Sequence, residues 1–220
     1  MITKYQKSQT VNRLKLVYSQ LNEAIRLAEV ENDDISGWNF EQSSKDFFDQ
    51  YIANHLKIVT KKSSESLAGD GIYFKKMSGE NERDLWVGRS PVDIYTTMNG
   101  TDILCHKTSP SGSYSNLTAK ELTIDINGIN TKPNQWGKDL FLIYIGQLAN
   151  KRLYFHGTYS ANSFTFESEP NTDRDVLLGK KAVKNGSNTY ACNKNSDMVG
   201  TWCGRLIQVD GWEIRKDYPW

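Results

Sequence analysis

A helix at the start of the chain is the feature that most restricts the fold. Residues 3–30 contain neither Pro nor Gly, and residues with good helix propensity dominate. Apolar residues recur at steps of three or four, at Val11, Leu14, Val17, Leu21, Ile25 and Ala28. That spacing predicts one amphipathic helix about 40 Å long, with a single apolar stripe that faces a core.

Two leucines lie outside that stripe. At about 100° per residue, Leu16 and Leu27 project from roughly the opposite side of the helix. One interpretation is two incidental exposed leucines. The other is a helix contacted on two sides, once by its own domain and once by another molecule.

A second helix is predicted in the region that follows. Ser43 and Asp46 have the spacing of an N-terminal capping box, and apolar residues then continue at helical spacing to about Val59. Residues 61–71 are polar and rich in turn formers, so we expect a loop there.

Strand-like patterns with a period of two dominate the middle of the chain. Residues 92–98 and 101–106 flank Asn99-Gly100, and this dipeptide between two such runs predicts a β-hairpin. Further strands are predicted at residues 121–126, 140–145 and 153–155. The order predicts an α+β fold in which a long N-terminal helix packs on an antiparallel sheet.

The size of the chain fits one domain. It has 220 residues, of which 38% are hydrophobic, and that is enough for one fair-sized core or two small ones. We expect four parts in this order: the N-terminal helix at 1–31, the second helix and a loop at 32–71, the sheet at 72–160 and a C-terminal loop region at 161–220.

Charge and hydropathy exclude several classes of protein. The 27 Lys and Arg balance 26 Asp and Glu to a net charge of +1, so no nucleic-acid partner is indicated. Mean hydropathy is −0.61, and no apolar run approaches the ~20 residues that cross a bilayer. Met1 leads directly into the helix without a signal peptide. We therefore expect either a cytosolic protein or a chain from which an upstream segment has been cut away.

An oxygen-rich loop between two predicted strands is the candidate metal site. Asp125, Asn127 and Asp139 could bind Ca²⁺, a hard cation that takes six to eight oxygen ligands. The loop is not an EF-hand, because the acid at the twelfth position is missing and strands flank it. The alternative is a turn in which Asp and Asn side chains accept hydrogen bonds from backbone amides.

Three blocks of this sequence resemble one known family. They are the helix ITKYQKSQTVNRLKLVYSQLNEAIRLAEVEN, the loop DINGINTKPNQWGKDLF and the tail CGRLIQVDGWEIRKDYPW. In this order they resemble type IV pilins and type II secretion pseudopilins, which share a prepilin-type cleavage and methylation N-terminus. The three blocks cover about a third of the chain. Pilins begin with a cleavage site and ~20 apolar residues, which this sequence lacks, so the resemblance implies a truncated soluble headpiece.

The resemblance also implies a role without chemistry. It implies a structural subunit whose partners are other pilin or pseudopilin subunits, contacted through the helix at Val11, Leu14, Leu16 and Leu27. The full-length form would be anchored in the inner membrane before assembly, and the mature protein would be extracytoplasmic. The rival hypothesis is a secreted, calcium-dependent binding or adhesion module whose tryptophans (Trp86, Trp136, Trp202, Trp212 and Trp220) hold a glycan. The favoured alternative for these tryptophans is packing in the core.

The same resemblance implies how the cysteines pair. An exported location implies a disulfide between Cys192 and Cys203, much as pilins close their C-terminal loop; the alternative is two reduced thiols. Cys105 is then left unpaired, and a buried structural thiol is favoured over a nucleophile. Adjacent strand residues point to opposite faces, so His106 cannot serve Cys105 as a base, and nothing places His156 nearby. Since no nucleophile elbow, P-loop, HExxH or dinucleotide fingerprint is present, we expect no enzyme.

Overall fold

The long helix is present as predicted. The computed structural model describes residues 2–81, 91–106, 119–148, 151–158, 171–183 and 187–220. Helix α1 spans Ile2–Asn32 and ends where Asp33 adopts a left-handed φ of 61°. Asp34 then caps a short 3-10 turn, Ile35–Gly37, by accepting a hydrogen bond from the Ser36 amide.

The second helix begins as predicted and ends early. Helix α2 spans Ser44–Tyr51, and Ser43 is confirmed as its N-cap because the Asp46 amide donates to Ser43 Oγ at 3.1 Å. The extension to Val59 is wrong: a 3-10 turn at Ala53–His55 follows α2, and strand β1 covers Ile58–Ser64. The predicted loop at 61–71 is wrong at residues 61–64, which belong to β1, whereas residues 65–71 form no helix or strand. Ile58, Val59 and Thr60 are β-branched, which favours a strand over a helix.

The described strands form one antiparallel sheet, so the predicted α+β class is confirmed. Strand order follows the chain, from β1 to β6, and every neighbouring pair is antiparallel. The strands after β1 are β2 Val92–Thr97, β3 Asp102–His106, β4 Ala119–Asp125, β5 Leu140–Leu148 and β6 Lys151–Phe155. The β2–β3 hairpin turns at Gly100, whose φ of 74° suits the predicted Asn-Gly turn. The sheet therefore starts at Ile58 rather than at residue 72.

Both faces of the sheet are covered. The face beneath α1 and α2 carries Tyr95, Ile103, Cys105, Leu122, Ile124, Phe141, Ile143 and Phe155. The opposite face carries Val92, Ile94, Leu104, Leu142, Tyr144 and Tyr154, which pack against Leu67, Phe74, Ile129 and Trp136 from loops. We call these the helix side and the loop side of the sheet.

Helix α1 closes the edge of the sheet at β6. The Tyr18 ring stacks on Phe155 with centroids 5.1 Å apart, and the Tyr18 hydroxyl donates to the Leu153 carbonyl at 3.0 Å. Near the other end of the helix, Arg152 forms an ion pair with Glu29. These contacts fix both the position and the direction of α1 along the edge strand.

The C-terminal region is more regular than a loop. It contains α3 at Arg174–Leu177 and α4 at Cys203–Val209, and Cys192 is joined to Cys203 by a disulfide. Tyr218 donates a hydrogen bond from its hydroxyl to the Gly137 carbonyl, which ties the end of the chain to the loop between β4 and β5.

Gly137 is the point where that loop meets the disulfide. Its φ is 79°, and a Cβ there would lie 2.6 Å from Cys203 Sγ and 2.8 Å from Met77 Sδ. A side chain is therefore disfavoured by the backbone conformation and has no space.

We expect Gly137→Ala to lower the free energy of unfolding by about 3 kcal/mol, because left-handed strain and overpacking of the buried sulfurs add together. The matched control is Gly71→Ala. Gly71 has a similar φ of 77° but nothing within 4 Å of its Cβ position, so only the strain of about 1 kcal/mol remains. Urea denaturation of both variants measures the difference, and equal losses would contradict the packing argument.

Candidate functional site

The outward side of α1 carries an apolar stripe of its own. Tyr5, Leu16, Leu27 and Val30 are 66%, 46%, 37% and 78% exposed. At 100° per residue they fall within an arc of about 60°, roughly opposite the buried stripe, and they share that arc with the exposed polar residues Gln9, Asn12 and Glu23. We call these four residues the outer stripe. Among the predicted assembly residues, Leu16 and Leu27 belong to it.

The other two predicted assembly residues do not lie on this surface. Val11 is 9% exposed and Leu14 has no exposed surface, and both pack in the core on the helix side. Their assignment to an assembly contact is wrong, because they continue the same buried stripe as Val17 and Leu21. Tyr5 and Val30 are the other exposed apolar residues of the outer stripe, and the spacing of 11 residues from Tyr5 to Leu16 to Leu27 is visible in the sequence.

The start of α1 stands clear of the core. Of residues 4–9, all but Lys7 are exposed, so these turns have no buried face. The first hydrogen bond from α1 to another segment is that of Thr10 Oγ1, which donates to the Lys138 carbonyl at 3.1 Å.

The carboxylates of the oxygen-rich loop accept hydrogen bonds from the backbone amides of the same loop. Asp125 Oδ1 accepts from the Asn127 amide at 3.1 Å, and the two Asp139 oxygens accept from the amides of Asn134 and Gln135. These are the backbone hydrogen bonds of the turn interpretation. Burial raises the pKa of Asp139 despite these bonds.

Several oxygens at the same place have no partner among the described residues. They are Asp125 Oδ2, Asn127 Oδ1 and Asp102 Oδ1, and all three are buried. Asp102 was not predicted; it lies directly opposite Asp125 across β3 and β4, a register that only the folded sheet reveals. Burial raises the pKa of Asp125, and the charges of Asp139 and Asp102 raise it further.

This set is small for a metal centre. Within the described part of the chain, no group of three or more His, Cys, Asp or Glu side chains is placed to hold a metal ion. Asp125, Asn127 and Asp139 offer two carboxylates and one amide. Calcium binding at these residues stays a prediction.

The residues of a Cys–His nucleophile lie on opposite sides of the sheet. Cys105 is buried on the helix side, where burial raises the pKa of its thiol. His156 contacts Tyr144 and Tyr190 on the loop side, and its Nδ1 lies 2.8 Å from Thr201 Oγ1. Burial lowers the pKa of His156 to about 3, so its imidazole is neutral at neutral pH. The side chain of His106 is outside the part that the structure describes.

The tryptophans are mainly core residues. Trp136 and Trp202 are almost completely buried, whereas Trp212 and Trp220 are partly exposed. Trp86 lies outside the described residues. Buried rings cannot stack on a sugar, so the glycan-binding role is not supported at Trp136 and Trp202.

A partly buried glutamate on the loop side was not predicted. Glu121 Oε2 accepts a hydrogen bond from the Tyr144 hydroxyl at 2.9 Å, while Oε1 is buried with no partner among the described residues. Burial raises the pKa of Glu121 to about 7. Glu121 shares one face of β4 with Ala119 and Thr123. This alternation of residues does not show whether that face is buried or exposed.

Comparison with known proteins gives one match. A family model described as "Family of unknown function (DUF6613)" matches residues 1–220. No curated protein matches the chain, and no solved structure matches it. None of the helices among the described residues is long and apolar enough to cross a membrane.

We expect Glu121→Gln to stabilise the protein above pH 7 and to have no such effect near pH 4.5. The folded pKa of about 7 lies above the ordinary 4.5, so protonated Glu121 contributes stability that is lost as pH rises between these values. Gln imitates the protonated acid and removes that loss. Thermal unfolding of variant and wild type across this pH range measures the gap, and a gap independent of pH would contradict the assignment.

Proposed function

Because the chain belongs to the family of unknown function DUF6613, whose description names no activity, we propose its role from its own residues. We propose that it is a structural subunit, a pilin-like or pseudopilin-like headpiece that assembles with other subunits through the outward side of α1. It performs no chemistry. In its full-length form it is anchored in the inner membrane before assembly, and the headpiece is extracytoplasmic.

The outer stripe carries this proposal. Single exposed apolar residues are normal on protein surfaces, but four on one narrow arc of a helix favour a contact surface. Leu16 is 46% exposed and Leu27 37%, so each keeps apolar area to bury against a neighbour. The inward stripe already binds the sheet, and the helix is therefore built for contacts on two sides.

Two further observations support the proposal. The resemblance to pilins and pseudopilins rests on α1, the loop at 125–141 and the tail at 203–220, and these three segments meet in the fold through Thr10, Gly137 and Tyr218. The disulfide between Cys192 and Cys203 agrees with an extracytoplasmic location, since disulfides persist in oxidising compartments.

The test is to replace both leucines with charged residues in the full-length protein. We expect Leu16→Glu with Leu27→Glu to abolish incorporation into filaments, while the free energy of unfolding changes by no more than about 0.5 kcal/mol, as is usual for exposed positions. The matched control is Val59→Glu with Met98→Glu, which changes two residues that are 56% and 63% exposed outside α1. Filaments sheared from cells and probed for the subunit give the readout. Incorporation at the wild-type level would refute the proposal.

A calcium-dependent binding module is the second candidate function. The buried oxygens of Asp125, Asn127 and Asp102 that lack partners favour it, because oxygens in such a position suit a hard cation.

If calcium binds there, we expect added Ca²⁺ to raise the melting temperature and a chelator to lower it. Asp125→Asn should remove the response, because it removes a carboxylate charge at the centre of the set. The matched control is Asp70→Asn, which changes a carboxylate bonded to Ser64 away from this loop. Melting curves that coincide with and without the chelator would contradict calcium binding, and the carboxylates would then serve only to accept the backbone hydrogen bonds of the loop.

A further inference from the structure

Lysines gather at the start of α1. Six of them come from four separate segments of the chain, and we call this group the basic end: Lys4, Lys7, Lys75, Lys76, Lys138 and Lys194. The whole chain has a net charge of only +1, so the total charge conceals this concentration.

Specific contacts hold the four segments together. The Lys138 carbonyl accepts from Thr10 of α1, and the Lys75 amide donates to the Asn134 carbonyl of the same loop at 2.8 Å. Lys76 Nζ donates to the Ser196 carbonyl at 3.0 Å. Lys194 is tied in at Trp220, to whose carbonyl its Nζ donates.

The lysines influence one another electrostatically. Burial lowers the pKa of Lys138, and the charge of Lys194 lowers it further; the charge of Asp139 raises it, and that of Lys75 lowers it. Glu80 and Asp197 are the exposed acids nearest in sequence on these segments. With the buried carboxylate of Asp139 counted as well, six lysines stand against three carboxylates, which leaves a positive excess.

Aromatic rings accompany the charges. Tyr5 is 66% and Tyr73 53% exposed, and Lys7 Nζ lies 5.8 Å from the centre of the partly exposed Trp220 ring. Tyr and Trp favour the interface between lipid headgroups and water, and lysine is attracted to anionic lipids. Lysines also contact nucleic-acid phosphates, so a DNA duplex is included as a competitor in the test below.

We propose that the basic end binds the surface of a bilayer that contains anionic lipids. The inference deepens the proposed function, because it names the surface that faces the start of α1. The inference depends on the proposed function only for which membrane the chain would meet in the cell. Vesicle binding by this chain requires neither filament assembly nor the outer stripe, so the two proposals fail separately.

The test is co-sedimentation of the chain with vesicles made of equal parts phosphatidylglycerol and phosphatidylcholine. We expect binding that weakens as salt increases, and no binding to vesicles of phosphatidylcholine alone. Lys75→Gln with Lys138→Gln should weaken binding by about 25-fold, since each lysine near a charged membrane contributes about fivefold. Neither side chain has a described hydrogen bond, and the melting temperature verifies that the variant is folded.

The matched control is Arg26→Gln with Arg152→Gln. This variant also removes two positive charges, but toward the other end of α1, where Arg152 forms an ion pair with Glu29. We expect it to leave vesicle binding unchanged. Equal loss in both variants would show a net-charge effect and overturn the inference. It would also be overturned by no binding to anionic vesicles, or by tighter binding to a short DNA duplex than to vesicles at the same salt.

Discussion

The packing of α1 on the sheet is the interaction on which the remaining structure depends. Leu14, Leu21 and Ala28 have no exposed surface, and the Tyr18 hydroxyl binds the Leu153 carbonyl at the edge of β6. An uncovered strand edge invites non-native pairing, so one helix supplies both apolar burial and edge protection. Because the inward side of α1 is committed to the domain, only its outward side and its exposed start remain for other partners.

The second constraint is the junction around Gly137. Asp139 accepts the amides of Asn134 and Gln135, which shapes the loop, and Gly137 allows Cys203 Sγ to approach the backbone. The Tyr218 hydroxyl then binds the Gly137 carbonyl, so the end of the chain is brought beside α1. The basic end is a consequence of this junction, because segments far apart in sequence place their lysines together only once the loop is shaped.

Local signals in the sequence predicted the elements well, whereas the site depended on tertiary pairing. The Ser43 cap, the Asn99-Gly100 turn and the stripe of α1 require only neighbours along the chain, and all three are confirmed. The end of α2 was missed because its apolar residues are also compatible with a longer helix. Asp102 and Glu121 were missed because their burial is set by strand register and by loops on the far side of the sheet.

The charge order along α1 favours a partner at its start. Lys4, Lys7, Arg13 and Lys15 occupy the first half, whereas Glu29 and Glu31 occupy the last turn. A helix dipole favours the reverse order, at roughly 0.3–1 kcal/mol for each terminal charge, so this order opposes helix stability. Arg152 compensates Glu29 within the domain, whereas Lys4 is exposed and belongs to the group of lysines at the start of the helix. An anionic surface at the start of α1 would provide the compensation that the fold does not, and it would leave the outer stripe free for a neighbouring subunit.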